Sequence, residues 1–300
     1  MEENNCIYIS SRGILKSTKM HSNSPQSSIK KLIISDFNKD YLLKNDTIYI
    51  CSSTMRYFIN NLLSNIHTPF ILVSGDCDEV CPNDIFTSIK QLNSFLNNSK
   101  LIHWFCQNNI MKHPKITTIP IGMDYHTIYQ NTNHCWGKQL SPITQEQQLI
   151  NINKKPFYER KIKCYSNFHF FMTTRFGLDR RTVYKSIPKK LVFYEPVKIK
   201  RYQSWLNQSQ YAFVISPHGN GMDCHRTWEA LILGCIPIVK KSQIDILYED
   251  LPVLILNEWS DLTQDLLNIT IEKFKNKTFN MEKLKLNYWT DKINKIITTN

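Results

Sequence analysis

The sequence lacks the features of a membrane-spanning or secreted chain. Its longest apolar stretch, residues 230–239, is broken by Gly234 and Pro237, whereas a transmembrane helix needs about 20 consecutive apolar residues. The first ten residues, MEENNCIYIS, are acidic and polar, and a secretory signal peptide would begin with a basic region followed by an apolar one. We therefore expect a soluble, cytoplasmic protein that contacts a membrane at most peripherally.

The sequence also lacks paired cysteines. Its nine cysteines are odd in number, stand singly and form no CxxC motif. Disulfide frameworks and structural zinc sites both use cysteines at short, repeated spacings, so this distribution argues against either. Reduced, buried thiols are expected instead.

Positive charge is concentrated in the second half of the chain. Residues 1–150 hold 13 Lys and Arg against 11 Asp and Glu, and residues 151–300 hold 24 against 14, which gives net charges of +2 and +10. A nucleotide diphosphate, a nucleic acid, an anionic membrane or solubility alone would each account for such an excess. Carboxylates are interspersed among the basic residues and no nucleic-acid-reading motif is present, so no nucleic acid partner is expected.

The clearest pattern is residues 211–239, YAFVISPHGNGMDCHRTWEALILGCIPIV. It predicts a buried strand over 211–215, a loop whose glycines can adopt positive φ and let a ligand approach the backbone closely, a helix over 224–233 with Asp223 as its N-cap, and a strand over 236–239 after Gly234 at the helix C′ position. This order is typical of a parallel α/β sheet, in which ligands bind at the carboxyl ends of strands. The helix N-terminus favours an anion there, most often a phosphate.

The predicted helix presents a polar face to that site. At 100° per residue, His225, Arg226 and Glu229 share one arc, and apolar residues occupy the other side. Arg226 would pair with a diphosphate, and Glu229 would accept hydrogen bonds from a ribose. The alternative is an ordinary i, i+3 ion pair between them on a core helix. The candidate ligand-binding residues here are Ser216, His218, Gly219, Asn220, Gly221, Asp223, His225, Arg226 and Glu229.

The segment SPHGNGMDCHRTWEALILGCIPIV resembles the nucleotide-sugar half of the exostosin-like glycosyltransferases, which have a small-residue loop, an arginine, a Glu-Ala pair and Gly-Cys-Ile-Pro before a strand. The resemblance is closest over residues 211–239 and looser from Thr173 to Trp259. It implies a GT-B architecture, in which two Rossmann-like domains with parallel sheets face each other across a cleft. It also implies a UDP- or GDP-sugar as donor and a glycan or glycoconjugate as acceptor.

The same resemblance implies further roles. Arg175 and Arg180 would belong to a basic loop that reaches the diphosphate, with a solvated helix end as the alternative. Such transferases invert the anomeric centre, which requires one carboxylate base from the first domain but no metal ion or other cofactor. Family members in animals and plants are usually anchored in the secretory pathway, and this sequence departs from them.

Titratable residues follow two predicted strands of the first half. Asp76 and Asp124 rank equally as the base that deprotonates the acceptor hydroxyl, and His126 lies beside the second. The Asp76-Cys77-Asp78 sequence is also the Asp-x-Asp pattern that binds Mn²⁺ or Mg²⁺ in GT-A transferases, although carboxylates at strand ends are more often turn formers or helix caps. A third strand end carries residues that would contact either a sugar or the core, namely Trp104, Gln107 and Asn108.

The remaining pattern alternates strands and helices. We expect an acceptor-side domain over residues 1–150, a nucleotide-sugar-binding domain over 151–280, and a helix over 281–300 that packs back on the first domain. No role is predicted for residues 1–30. Predicted strands also span 31–34, 47–51, 70–74, 100–108, 116–121, 163–172, 191–194 and 252–256, and predicted helices span 54–65, 144–152, 200–208 and 244–248. The sequence as a whole predicts a metal-independent, inverting glycosyltransferase; a protein that binds nucleotide sugars or polyanions without catalysis is the alternative.

Overall fold

The computed structural model describes residues 2–32, 47–168 and 173–298, and the ends of two predicted strands, 33–34 and 169–172, lie outside these ranges. The described strands are β1 (Thr47–Cys51), β2 (Phe70–Gly75), β3 (Leu101–Cys106), β4 (Ile116–Thr118), β5 (Asn133–His134), β6 (Gly137–Lys138), β7 (Lys161–Ser166), β8 (Val192–Tyr194), β9 (Tyr211–Ile215), β10 (Ile236–Lys240) and β11 (Leu254–Leu256). The described α-helices are α1 (Ser11–Ser17), α2 (Met55–Asn61), α3 (Ile89–Leu96), α4 (His126–Gln130), α5 (Pro142–Ile150), α6 (Gly177–Ser186), α7 (Arg201–Gln208), α8 (His225–Ile232), α9 (Gln264–Lys275) and α10 (Leu286–Thr298).

Strands β1 to β4 form a parallel sheet in the order β1-β2-β3-β4. Every residue of β1 and β2 is buried, as expected for a parallel sheet that is covered on both faces. The predicted strand over 47–51 is confirmed. β4 ends three residues earlier than predicted, because Pro120 has no N–H to donate and Gly122 turns the chain with a φ of 65°.

Strands β7 to β11 form a second parallel sheet in the order β11-β10-β9-β7-β8. The strand order reverses between β7 and β9, and in doubly wound sheets a ligand crevice opens at such a reversal, outside the carboxyl ends of the strands. The strand predicted over 211–215 is confirmed as β9. Gly234 follows α8 with a φ of 71°, as the predicted C′ position requires.

These two sheets, with the helices packed on them, are two Rossmann-like domains. We call the unit around β1–β4 the first domain and the unit around β7–β11 the second domain. The carboxyl ends of both sheets border one cleft, which is lined by residues from each. The predicted α/β class with a GT-B-like arrangement is therefore confirmed.

The two ends of the described chain pack together on the first domain. α10 contacts α1 and β3, and the amide of Leu286 donates to the carbonyl of Ile7. Trp289 and Ile293 of α10 enter the same buried cluster as Ile14 of α1. Within the described ranges, no helix combines the length and apolar character that crossing a membrane requires.

Candidate functional site

A cavity of about 760 Å³ lies between the domains. Its second-domain wall contains the strand reversal between β7 and β9, and its first-domain wall contains the segment after β2. This size and position suit a nucleotide-sized ligand. The predicted site residues that line the cavity are Asp76, His126, Arg180, Gly219, Asn220, Gly221, Asp223, His225, Arg226 and Glu229.

Residues 216–224, which we call the donor loop, contain two predicted site residues that lie behind the cavity wall. The hydroxyl of Ser216 is 2.8 Å from that of Thr227. The amide of His218 donates to Asp179 at 2.9 Å, and the His218 ring lies 3.3 Å from the same carboxylate. Both residues therefore fix the shape of the donor loop.

The glycines of the donor loop allow side chains to approach it closely. Neither Gly219 nor Gly221 takes the positive φ that glycine allows. A Cβ on Gly219 would lie 2.6 Å from Nη2 of Arg180, and a Cβ on Gly221 would lie 3.0 Å from Oδ1 of Asp78 and 3.1 Å from Nδ2 of Asn108. Glycine is needed because Arg180 approaches the loop on one side and the first domain approaches on the other.

Asp223 connects the donor loop to the first domain and is not the N-cap of α8. The N-cap is Cys224, whose side chain makes no capping hydrogen bond. Asp223 accepts instead from the amide of Ile121 at 2.8 Å and from the indole of Trp228 at 2.9 Å. Burial raises the pKa of its carboxyl to about 6, and these donors limit the rise. The predicted N-cap is therefore wrong, because tertiary partners take its side chain.

Asn108, after β3, makes a second connection to the donor loop. Its Oδ1 accepts from the amides of Met222 and Asp223 at 3.1 and 2.9 Å, and its Nδ2 donates to the carbonyl of Cys77 at 3.3 Å. Asn108 is fully buried. It therefore satisfies two amides that would otherwise be unpaired just before α8.

The other two candidate sugar contacts at this strand end are also structural. The indole of Trp104 donates to the hydroxyl of Ser74 at 2.9 Å, inside the core. Gln107 accepts from the amide of Asp76 at 2.9 Å. All three residues, Trp104, Gln107 and Asn108, are buried, and none lines the cavity. They therefore contact the protein core and not a sugar.

Arg226 and Glu229 of α8 both face the cavity, but they do not pair with each other. Nη1 of Arg226 donates to the carbonyl of Pro217 at 3.2 Å, and its guanidinium lies 5.6 Å from the ring centre of Phe168. Oε1 of Glu229 accepts from Nη2 and Nε of Arg201 at 2.5 and 3.2 Å. The alternative of an i, i+3 ion pair is therefore wrong for this helix.

Arg180 brings a second guanidinium to the donor-loop side of the cavity. Its Nε donates to the carbonyl of His218 at 3.1 Å. Burial and the nearby charge of Arg226 lower the pKa of Arg180, and two cations this close to each other favour an anion beside them. Arg175 is placed differently, since it pairs with Asp84 of the first domain and does not line the cavity.

Asp76 is joined to an N-terminal arm, residues 21–32. Its Oδ2 lies 3.2 Å from Nε of the buried Arg12, and its Oδ1 accepts from the hydroxyl of Ser27 at 2.9 Å. Nη2 of Arg12 also donates to the Ser27 oxygen at 3.2 Å. The amide of Ser28 donates to the carbonyl of Asp76 at 2.9 Å. Residues for which the sequence predicted no role therefore form part of the cavity wall.

Asp124 and His126 form a dyad on the first-domain wall. Nδ1 of His126 lies 3.2 Å from Oδ1 of Asp124, and Nε2 lies 3.0 Å from the hydroxyl of Ser27. Burial opposes ionisation of Asp124, but the surrounding positive groups and the amide of Thr127 hold its pKa well below the usual range. Burial lowers the pKa of His126, and Asp124 offsets part of that effect. At neutral pH the dyad is thus a carboxylate beside a neutral imidazole.

His225, the first residue of α8, brings the donor loop beside this dyad. Its Nδ1 lies 2.7 Å from the carbonyl of Gly122 and therefore donates to it. The rings of His225 and His126 are 6.2 Å apart. The side of the cavity that favours an anion therefore lies next to the side that carries the dyad.

Two polar atoms at the end of β7 lack hydrogen-bond partners within the described part of the chain. They are Oγ of Ser166 and Oδ1 of Asn167, and both residues line the cavity. Ser166 is only 2% exposed. Buried polar atoms are ordinarily paired, so these two mark a place for the polar atoms of a ligand at the strand reversal.

Arg201 is the main site residue that sequence reasoning missed. Its guanidinium lies between the rings of Trp136 and Trp205, at 5.3 and 4.7 Å from their centres. It also donates to the carbonyl of Asp124 and thereby connects Glu229 to the dyad. No local signal marks it, because it begins an ordinary amphipathic helix and its partners come from distant segments.

The Asp-x-Asp sequence has protein partners. Oδ2 of Asp78 accepts from Nδ2 of Asn220 at 2.9 Å, and Asp76 pairs with Arg12. Among the residues that the structure describes, no group of three or more His, Cys, Asp and Glu side chains is arranged to bind a metal ion.

No family model and no curated protein matches the chain, so its resemblance to the exostosin-like transferases remains a prediction. One similar solved structure is described as trehalose-6-phosphate from E. coli bound with UDP-2-fluoro glucose. It shares 9% sequence identity with a TM-score of 0.37, and the alignment covers 86% of this chain and 71% of that one. A likeness of this size supports no functional argument, and the fold class rests on the strand order of the two sheets.

Proposed function

We propose that this protein is a glycosyltransferase that moves a sugar from a nucleoside-diphosphate donor, a UDP- or GDP-sugar, to a hydroxyl of a glycan or glycoconjugate. The observation that supports this most is the shared cavity. One wall has two arginines and two polar atoms without partners among the described residues, and the other has an imidazole–carboxylate dyad. Glycosyl transfer requires an anion site and a base side by side, because a diphosphate leaves as a hydroxyl attacks.

The second-domain wall provides the groups for the donor. Arg180 and Arg226 would contact the diphosphate near the N-terminus of α8, where the helix dipole favours an anion. Glu229, oriented by Arg201, would accept hydrogen bonds from the ribose. Ser166 would bind a polar atom of the nucleoside. Negative charge grows on the diphosphate as it leaves, so the two arginines would stabilise the transition state more than the bound donor.

His126 is the base in this proposal. Its Nε2 is directed at a hydroxyl on the cavity wall, and Asp124 stays ionised and orients its Nδ1. The rival carboxylate, Asp76, already has Arg12 and Ser27 on its two oxygens. One general base and a single displacement imply inversion at the anomeric carbon. In this proposal neither the proton abstraction nor the displacement needs a metal ion.

A thermal-shift screen of UDP- and GDP-sugars tests the donor site. A ligand present at about 100 times its dissociation constant adds about 2.7 kcal/mol to the stability of the folded protein, so one nucleotide should raise the melting temperature without added Mn²⁺. Absence of any shift would remove the donor site, and a shift that depends on Mn²⁺ would make Asp76 and Asp78 metal ligands. Binding without release of the nucleoside diphosphate would indicate a non-catalytic nucleotide-sugar-binding protein.

A further inference from the structure

The hydroxyl of Ser27 lies where an acceptor hydroxyl is required. Ser27 lines the cavity, and its Oγ lies 3.0 Å from Nε2 of His126 and 2.9 Å from Oδ1 of Asp76. A general base must approach the proton that it removes to about 2.6–3.2 Å between heavy atoms. Ser27 lies within this distance of two bases, but its hydroxyl has a single proton. The proton is donated to Asp76 in the structure, and rotation of the hydroxyl turns it to Nε2 of His126.

The arm holds Ser27 in this position through contacts on both sides of it. The amide of Ser28 donates to the carbonyl of Asp76 at 2.9 Å, and the hydroxyl of Ser53 donates to the carbonyl of Ile29 at 2.5 Å. Pro25 is buried, while the side chain of Ser27 remains exposed to the cavity. A hydroxyl that is tethered beside the base reacts at a high effective concentration.

Two of the groups around Ser27, His126 and Arg12, favour loss of its proton, and the third, the Asp76 carboxylate 2.9 Å from the same oxygen, opposes negative charge there. Asp124 faces Nδ1 of His126, so a neutral His126 carries its proton there and presents the lone pair of Nε2 to Ser27. Nη2 of Arg12 donates to the same serine oxygen at 3.2 Å. A buried guanidinium in this position stabilises negative charge that develops on the oxygen.

The donor groups are close to this hydroxyl. The ring of His126 lies 6.2 Å from that of His225, and the next residue of α8 is Arg226. Ser27, His126, His225 and Arg226 all line one cavity. A sugar attached to a diphosphate at Arg226 would therefore extend toward the dyad.

We propose that the protein glycosylates itself at Ser27, an inference that rests on the function proposed above. The Oγ–H proton passes to Nε2 of His126 as Oγ forms a bond to the anomeric carbon of the donor sugar. The bond from that carbon to the β-phosphate oxygen breaks, and its electron pair leaves with the nucleoside diphosphate. His126 then releases the proton to solvent. The products are a serine O-glycoside, a nucleoside diphosphate and a proton.

Intact-protein mass spectrometry of the full chain tests this, after incubation with each of UDP-glucose, UDP-galactose, UDP-N-acetylglucosamine, UDP-xylose, GDP-mannose and GDP-fucose. We expect the mass to rise by one sugar residue with one of these donors, and fragmentation to place the sugar on Ser27. Ser27→Ala should abolish the addition and Ser27→Thr should retain it at a lower rate. Ser24→Ala, an exposed serine of the same arm outside the cavity lining, should behave like the wild type.

The rate also distinguishes self-transfer from transfer between molecules. Because Ser27 lies in the active site of its own chain, the first-order rate constant should stay unchanged on serial dilution of the protein. If the nucleoside diphosphate is released while the protein mass stays constant, this inference is wrong and the proposed function stands. If a donor binds and no nucleoside diphosphate is released, the protein is a non-catalytic nucleotide-sugar-binding protein and both are wrong. If none of these donors binds, both are wrong. A sugar found on Ser24 or Ser28 in place of Ser27 also contradicts the inference.

Discussion

At the scale of single residues, the cavity depends on side chains whose partners are distant in the chain. Arg201 is the clearest case, because it lies between two tryptophans and bonds both Glu229 and the carbonyl of Asp124. Arg201 therefore fixes the position of Glu229, the carboxylate proposed to bind the ribose, relative to His126, the proposed base. Removing it would leave Glu229 buried without its cation, which is costly in a low-dielectric site.

Arg226→Ala should weaken binding of a nucleoside diphosphate much more than binding of the free nucleoside. A hydrogen bond to a charged group contributes about 1.5–3 kcal/mol, and the diphosphate would lose this partner. Isothermal titration with UDP and uridine, or with the guanosine pair, measures both. Arg181→Ala is the matched control, since Arg181 is exposed and lies outside the cavity lining. Equal weakening of nucleoside and diphosphate would exclude Arg226 from the diphosphate site.

Glu229→Gln should instead weaken binding of the nucleoside part of the donor. The variant keeps the side-chain shape but loses the charge that favours two ribose hydroxyls, so affinity for the nucleoside should fall while turnover at saturating donor changes less. Parallel titrations with uridine and UDP, together with kcat, measure this. An unchanged nucleoside affinity would leave Glu229 as the structural partner of Arg201 only.

The pH dependence of turnover should identify His126 as the base. Only neutral imidazole accepts a proton, and burial places the pKa of His126 below its ordinary value of 6.5. Activity should therefore be constant at neutral pH and fall as the pH decreases through that lowered pKa. His126→Gln should remove this acid limb from the profile of kcat/KM and lower the rate by about 10²–10⁴-fold. If His126→Gln leaves the pH profile unchanged, His126 is not the base and Asp76 becomes the candidate.

At the scale of elements, the donor loop is shaped by the first domain as much as by its own sequence. Asn108 caps the amides of Met222 and Asp223, and Asp78 bonds Asn220. Isolated loop–helix junctions present such amides to a ligand. Here two of them are already satisfied, so the anion-binding capacity depends more on Arg180 and Arg226.

Asn108→Ala should destabilise the junction between the donor loop and the first domain. It leaves two buried amides unpaired, each at a cost of about 1–3 kcal/mol. Urea denaturation should show the lower free energy of unfolding, and donor affinity should fall with it. Asn108→Asp keeps the accepting Oδ1 but replaces the donor to Cys77 with an acceptor and buries a charge, so it should lose stability as well. Unchanged stability in Asn108→Ala would show that the two amides find other partners.

At the scale of the whole molecule, protonation of Asp223 makes the stability of the two-domain structure depend on pH. Asp223 is buried, it accepts from Ile121 of the first domain, and its pKa is raised to about 6. The folded state therefore holds this proton at pH values where the unfolded chain has released it. The stability that Asp223 contributes is present below about pH 4 and is lost as the pH rises through about 6.

The free energy of unfolding of the wild type, relative to Asp223→Asn, should fall by about 3 kcal/mol between about pH 4 and pH 7. Asparagine does not titrate, so the variant lacks this term while every other carboxylate contributes equally to both proteins. Denaturant unfolding of the pair across this range is the measurement. Parallel curves would show that the carboxyl of Asp223 titrates normally.

The sequence by itself determined the local elements around the cavity. The apolar run of β9, the helix after it and Gly234 at the helix end follow from residues a few positions apart, and such patterns act before any tertiary contact forms. Strand alternation also indicated the parallel α/β class. It also placed Asp76 and His126 after two strands of the first half, and in the structure both lie within hydrogen-bond distance of Ser27.

Only the tertiary structure decided which partner each side chain takes. Glu229 pairs with Arg201 across 28 positions, Ser27 meets His126 across 99, and Asp223 binds the amide of Ile121 across 102. A local pattern cannot record these pairings, because they arise where segments distant in the sequence converge, and the last of them joins the two domains. For the same reason the N-cap assigned to Asp223 was wrong, because the amide of Ile121 in the first domain binds the carboxylate that would have capped α8. There a contact from the other domain outweighed the local preference of the sequence.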